Sequence, residues 1–484
     1  MRLISVERRA FRASLLLGAA AFSSAACSSK DVLNVFDPAV ATPGSLTTIT
    51  AVPIVYAGAV GDFAAAFSGN GLTDAFVPTS GLLADEFHSS DTFTTRNDTD
   101  RRTQASPANG NLSDNPYVAL QSARRSLEVG ATLVKKYFPT ADPRTAELTA
   151  LAGYTYLSFG EAFCGNVPVP PTERAQDIIP AAGIGTQALF DTSIVRFNDA
   201  VAGLGAAPPV TASASLNLAR IGLGRALLDK AKYAEAAAAV AAVPTSFVYK
   251  VYSSSNTNRE QNSLFNLNGS NRRYSMSDSE GTNGLPFRRG NPTVAGTTGD
   301  PRIPWRRFVV KGSSLGFDQK TIVYEQRLYN SFDSDTPLAD GVEARLIQAE
   351  ALLNAGNPSW LDTLNALRAN YKPLQAARFD NFATVSVGDS VSADILAPLV
   401  DPGTPALRVN LLFSERGFWL FATGHRLGDL RRLIRDYGRA PNTVFPVGTS
   451  VKTGPYGDDV NLAISFDEKN NTAYNPAACI TTQP

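Results

Sequence analysis

Histidine, cysteine, methionine and tryptophan are all scarce, with His 2, Cys 3, Met 2 and Trp 3 in 484 residues. So few imidazoles and thiols cannot build a zinc ribbon, a multi-histidine metal site or an iron–sulfur cluster, so no metal and no cofactor is expected. Charge is sparse too. Asp, Glu, Lys and Arg make up 18 % of the chain, and Lys+Arg 44 cancels Asp+Glu 44. A neutral chain lacks the net basic surface that phosphate contacts need, which argues against nucleic acid as a partner. There is no nucleophile elbow of the Gly-x-Ser-x-Gly type, no phosphate loop and no dinucleotide fingerprint. What is plentiful is Gly 37 and Pro 30, with many Asn, Ser and Thr, a composition that suits an extracytoplasmic protein with long polar loops. The length allows several domains or one large helical array.

The amino terminus carries Arg2, Arg8, Arg9 and Arg12, then an apolar stretch from Ala13 to Phe22, then Ser24-Ala25-Ala26 before Cys27. A basic start, a short apolar run and a small-residue site describe a secretory signal, since a membrane span needs about 20 apolar residues. No later window approaches that length, so the mature chain is expected not to cross a bilayer. Small residues just before a cysteine resemble a bacterial lipobox, with Cys27 as the lipid attachment point, although Ser24 stands where Leu or Val is usual. The alternative is an ordinary signal peptide with a nearby cysteine. Arg8-Arg9-Ala10-Phe11 also resembles a twin-arginine export motif. With Cys27 set aside, Cys164 and Cys479 remain. In an oxidising compartment this pair either forms a disulfide that ties the tail to the helical body or stays as two separately buried thiols, and the compartment favours the bridge.

Turn signals and polar clusters dominate up to about Leu112, so only modest regular structure is expected there. Asp114 and Pro116 open a helix to about Tyr137, and Asp142 and Pro143 open the next. Leu148, Ala152, Tyr156, Phe159 and Phe163 then fall on one helical face. Further helices are expected over Thr186–Leu204 and from Ser215. Gly224, Tyr233 and Ala236, ended by Pro244, resemble a tetratricopeptide repeat, and Ala349 to Asn357 resembles a second partial copy. Such pairs build concave scaffolds that hold partners. Between Phe247 and Pro337 the helical period vanishes, apart from apparent strands at Phe247–Tyr252 and Thr321–Tyr324. A block of about 90 residues of this kind is too long for a passive connector and is read as functional. Within it Tyr274, Phe287, Trp305, Tyr324 and Tyr329 lie among Asn271, Arg272 and Arg273, and Phe93 lies in the earlier polar loops. Flat rings beside amide and guanidinium donors suit sugars, whose C–H faces stack while their hydroxyls exchange hydrogen bonds. The structural alternative is that these rings pack the loops onto the body.

The segment Leu412–Arg432 contains Glu415-Arg416, Gly424-His425-Arg426 and Asp429-Leu430-Arg431-Arg432. It resembles the signature of the SusD/RagB family of outer-membrane nutrient-uptake lipoproteins. Agreeing stretches are Asp31 to Val35, Phe159-Gly160-Glu161 before Val167-Pro168-Val169-Pro170, Asp300-Pro301-Arg302, Asn365 to Arg368 and Phe445-Pro446-Val447. Trp419 and Thr423 stand where the family usually has Glu, and Cys164 interrupts one stretch. The resemblance implies a mainly α fold, with tetratricopeptide-like helix pairs as scaffold and a loop-rich variable region containing short strands. It also implies a surface lipoprotein of the bacterial outer membrane that captures oligosaccharides, or peptides, for a TonB-dependent SusC-like transporter. The layout expected is a signal peptide over 1–26, a mixed segment over 27–112, repeat-like helices over 113–245, the ligand-binding block over 246–338, signature helices over 339–438 and a tail over 439–484.

The signature charges are read as ion pairs that orient two consecutive helices, and no catalytic residue is expected. Asp85-Glu86 beside His88 is the most suggestive acid and imidazole cluster, and a helical glycan-cleaving enzyme would need such carboxylates. A structural or adhesive surface lipoprotein is the other alternative.

Overall fold

The structure is a computed structural model describing residues 45–104, 110–172, 179–205, 208–288, 300–309, 312–382, 396–452 and 454–484. The expected signal peptide, Cys27 and the Asp31 to Val35 stretch lie outside the described residues. The chain divides into two units. Of the first, Met1–Ala51, the described part is two 3-10 turns, Ser45–Thr47 and Ile49–Ala51. All that follows concerns the second, Val52–Pro484.

Its amino-terminal segment holds α1 (Val52–Phe67), α2 (Phe76–Leu83) and α3 (Thr94–Asp100), more helix than turn-rich sequence suggested. Five helices follow: α4 (Asp114–Tyr137), α5 (Pro143–Ala162), α6 (Thr186–Gly203), α7 (Ser213–Asp229) and α8 (Tyr233–Val240). After the loop block come α9 (Gly341–Asn354), α10 (Ser359–Ala369), α11 (Tyr371–Arg378), α12 (Pro405–Trp419) and α13 (Arg426–Arg435). Local chemistry explains several boundaries. Asp114 lies in the first turn of α4 and Lys135 and Lys136 in its last, so charges at both ends complement the helix dipole. Asp142 caps α5 by accepting from the Arg144 amide at 2.9 Å, with Pro143 at the first helical position.

From α4 to α10 each helix packs on its neighbour in sequence, so helix pairs stack into a ladder of the tetratricopeptide kind, and α1 adds to it by packing on α4. The helix α5 meets α4, α6 and α7, and burial extends almost around it, beyond the single expected stripe. The repeat-like residues do what the motif requires. A Cβ on Gly224 would come within 2.5 Å of Val240 Cγ1, so only glycine lets α7 and α8 approach this closely, with Ala236 buried in their seam. In α1, Phe63, Ala66 and Phe67 are buried, and Phe63 and Phe67 stack with Phe76 beyond them. The segment Ile49–Phe67 is long and apolar enough by composition to cross a membrane, which corrects the expectation that no later stretch would be. Only 28 % of that window is buried, and the buried side chains, including Ala59, Phe63, Ala66 and Phe67, belong to the helix that packs on α4.

Two short strands explain how the loop block interrupts the ladder without breaking it. β4 (Val248–Val251), just after α8, pairs antiparallel with β8 (Thr336–Asp340), just before α9, from Val248↔Asp340 to Val251↔Thr336. Entry and exit are thereby held together at one neck, and α8 packs directly on α9. The remaining strands are β1 (Phe87–Ser89), β2 (Val167–Pro168), β3 (Gly183–Ile184), β5 (Tyr274–Met276), β6 (Trp305–Arg307) and β7 (Tyr324–Gln326). β1 pairs with β5, β2 with β3 and β6 with β7, all antiparallel. The strand expected at Thr321–Tyr324 begins at Tyr324, because Leu315 and Ile322 meet only in a single bridge before it. A disulfide joins Cys164, at the end of α5, to Cys479 in the tail, with Cα atoms 5.1 Å apart.

Candidate functional site

Buried ion pairs weld the loop block to the helices. Glu415 of α12 accepts from Arg302 Nη1 at 2.7 Å and from Arg368 Nη1 at 2.6 Å. Arg416 grips Asp429 of α13 through two contacts of 2.8 Å, and Arg432 bridges Asp429 and Glu350 of α9. Arg426 reaches Asp85 at 2.9 Å. The signature charges therefore connect α9, α10, α12, α13, the loop block and the amino-terminal segment, a wider span than two consecutive helices.

The Asp85, Glu86 and His88 cluster belongs to the same framework. Burial raises the Asp85 carboxyl despite the Arg426 guanidinium beside it. Burial likewise pushes Glu86 up to about 8, against one hydrogen bond from the Ala422 amide. Glu86 Oε2 is buried and makes no hydrogen bond. His88 Nδ1 lies 3.4 Å from Glu280. Burial would raise Glu280, but the hydrogen bond and charge from His88 hold it below the ordinary glutamate value.

Above this framework opens a cleft of about 790 Å³. It is walled by the loop after β1 (Asp91, Thr92), by Arg288, by the run from Asp318 to Tyr324, and by Val451 and Lys452 of the tail. His88 Nε2, buried and without a partner, borders it. Ile322 and Val451 of its lining are exposed, and two further exposed side chains, Phe93 at 52 % and Phe317 at 42 %, flank Arg273, which holds the cleft residue Asp91. Arg273 lies between two of them, its guanidinium carbon 3.8 Å from the Phe317 ring centre and 5.0 Å from that of Phe93. Arg288 lies 3.5 Å over Tyr324, whose edge meets the Trp305 ring at 5.7 Å.

The expected ligand-contacting residues divide accordingly. Tyr324 lines the cleft, Trp305 packs against it while donating from Nε1 to the Arg288 carbonyl, and Phe93 stands exposed beside Arg273, outside the lining. Tyr274, Phe287 and Tyr329 are placed in the core instead, each fully buried. Tyr274 donates to Asp74 at 2.6 Å, Tyr329 donates to the Ala422 carbonyl, and Phe287 packs on Phe418 and Phe421. These rings fasten the loops to the body and present no face to a ligand. Asn271 turns inward to the Asn266 carbonyl, closing the π-helical turn Phe265–Ser270, and Arg272 donates to the Leu315 carbonyl at 3.1 Å. Sequence reasoning did not single out Phe317, Arg288 or Lys320 as site residues, nor the tail residues Val451 and Lys452. The signal for the first three lay in the same aromatic and basic block; nothing in the tail pointed back to it.

The second unit is thus a helical ladder with a loop block inserted between α8 and α9, and the cleft lies where that block, the loop after β1 and the tail meet. No family model matches the sequence, and no curated protein matches it. The fold, however, is similar to a SusD-like protein from Bacteroides fragilis, at 12 % identity over 90 % of this chain and 98 % of that one, with a TM-score of 0.56. It is similar as well to a SusD/RagB family protein from Bacteroides thetaiotaomicron, at 15 % identity over 81 % and 89 % of the two chains, TM-score 0.55. A third likeness is to a laminarin-binding SusD-like protein, at 14 % identity over 88 % and 98 %, TM-score 0.51. The chain thus has the SusD-like fold that its carboxy-terminal motifs suggested.

Proposed function

We propose that the protein is a surface lipoprotein of the outer membrane, anchored through Cys27, that captures oligosaccharides and passes them to a TonB-dependent SusC-like transporter. The observation that carries this reading is the cleft between the inserted block, the loop after β1 and the tail, lined by Tyr324 and with the exposed rings Phe93 and Phe317 nearby, on a fold shared with a protein described as laminarin-binding. The protein binds and releases its ligand without changing it. The carboxylates nearest the cleft support this, because Asp91, Asp318 and Glu280 are each engaged by basic side chains that hold them in place.

The test is affinity electrophoresis of the purified protein in gels containing a panel of polysaccharides, beside a pull-down from solubilised outer membranes. At least one polysaccharide should retard the wild type, Tyr324→Ala and Trp305→Ala should weaken the retardation, and a TonB-dependent transporter should co-purify. Cleavage of the glycan, or retardation by none of the panel, would overturn the reading. Unchanged retardation of the Trp305→Ala protein would remove that ring from the site.

A further inference from the structure

Taking the cleft as the ligand site, we infer that its ligand is an acidic oligosaccharide, whose carboxylate or sulfate groups are held by Arg288 and Lys320.

The hydrogen-bond capacity of the cleft is lopsided. Its two carboxylates are already committed. Asp91 is held by Arg96, by Arg273 at 2.9 Å and by the Thr92 amide at 2.6 Å. Asp318 accepts from the Lys320 and Thr321 amides, each at 2.9 Å, from the Thr321 hydroxyl at 2.7 Å and from Lys452 at 3.0 Å. Lys452 is spent as well, on Asp318, Asn97 and the Asp91 carbonyl. The donors are not all spent. The exposed Lys320 ammonium has no partner among the described residues. Arg288 reaches Asp278 at 3.9 Å and makes no closer ion pair among the described residues. Carboxylates with no acceptor capacity to spare and cations with unused donors favour a ligand that brings negative charge.

The aromatic faces point the same way. The Tyr324 ring is covered by Arg288 at 3.5 Å, and Arg273 lies 3.8 Å from the Phe317 ring centre, so the rings nearest the cleft already carry guanidinium groups. A guanidinium lying flat on a ring is fixed in orientation, and its planar fork matches the two oxygens of a carboxylate or sulfate. Phe93 and Phe317 stay exposed, at 52 % and 42 %, beside Arg273. This local excess of free cation is not a reflection of overall composition, since the chain as a whole is neutral.

The experiment is affinity electrophoresis of the full chain in polygalacturonate, in its methyl-esterified form, in carrageenan and in the neutral glucans laminarin and dextran. Polygalacturonate or carrageenan should bind at least about tenfold more tightly than the neutral polymers, and the two separate carboxylate from sulfate recognition. Lys320→Gln and Arg288→Gln should each weaken that binding by roughly tenfold, and added salt should weaken it further. Lys320 is exposed and holds nothing else, so its variant folds as the wild type does. Neutral glucans binding as well as the acidic polymers would overturn the inference while leaving glycan capture intact. Acidic binding indifferent to both substitutions would overturn it too. No binding to any polymer would fell the glycan reading and this inference with it.

Discussion

Replacing Glu415 with alanine tests whether buried charge holds this fold together. The Glu415 side chain is 4 % exposed and takes hydrogen bonds from two guanidinium groups, Arg302 at 1 % and Arg368 at 3 %. The two are affected unequally. Arg302 keeps Asp300, at 2.9 and 2.6 Å. Among the described residues Arg368 keeps only the Ala397 carbonyl at 2.7 Å. Burial already lowers the Arg368 pKa even with Glu415 beside it. Breaking a buried pair by removing one partner costs about 3–5 kcal/mol, because the other charge stays in the interior uncompensated. A domain of ordinary stability has about 5–15 kcal/mol in all, so Glu415→Ala should lose a large share of it. Urea unfolding followed by circular dichroism reads this as a lower midpoint at unchanged slope. The double variant Glu415→Ala with Arg368→Met removes the stranded charge and should recover part of the loss. A cost below about 1 kcal/mol, or a double variant no more stable than the single one, would show that Glu415 is not the hub its contacts describe.

Two further predictions concern stability. Glu86 titrates near 8 when folded and near its ordinary value of 4.5 when unfolded, so between those limits the folded state holds the extra proton. Stability therefore falls as pH rises, at up to about 1.4 kcal/mol per unit, and Glu86→Gln should flatten that fall between pH 5 and pH 8; parallel profiles for the two proteins would refute it. Gly224→Ala should lower stability by roughly 1–3 kcal/mol because its methyl meets Val240, whereas Gly58→Ala, with nothing within 4 Å, should raise it by about 0.5–1 kcal/mol, and thermal unfolding that shows the same sign for both would contradict the packing argument.

The ladder was legible in the sequence because its signals are local. Asp114, Asp142 and Pro143 begin helices where capping chemistry says they should, and Gly224 with Ala236 marks a close crossing that any helix pair of this kind needs. The extent of α1 was hidden because a helix of Ala, Gly and Phe has little amphipathic contrast, and its burial comes from α4, which lies far along the chain. The signature charges form buried ion pairs as read, but their partners Arg302, Glu350, Arg368 and Asp85 come from elements that no spacing rule connects.

The aromatic residues of the site show the same limit at finer scale. In β5 the pairing Ser89↔Tyr274 turns the Tyr274 ring inward to Asp74 and Phe87, while its neighbour Arg273 points out between Phe93 and Phe317. Side chains alternate along a strand, so a shift of one residue in that pairing would exchange the two roles. The register is set by β1, from a segment separated from β5 by most of the helical ladder, and three paired residues leave no periodicity to read. Composition could therefore place aromatic and basic residues in the block, while tertiary pairing decided which of them faced solvent. The same reasoning explains why the tail supplied Val451 and Lys452 unannounced. Arg102 holds the Pro446 carbonyl at 2.7 Å and the Asp459 carbonyl at 2.7 Å, and this clamp, formed between residues at opposite ends of the unit, lays the intervening tail along the cleft wall.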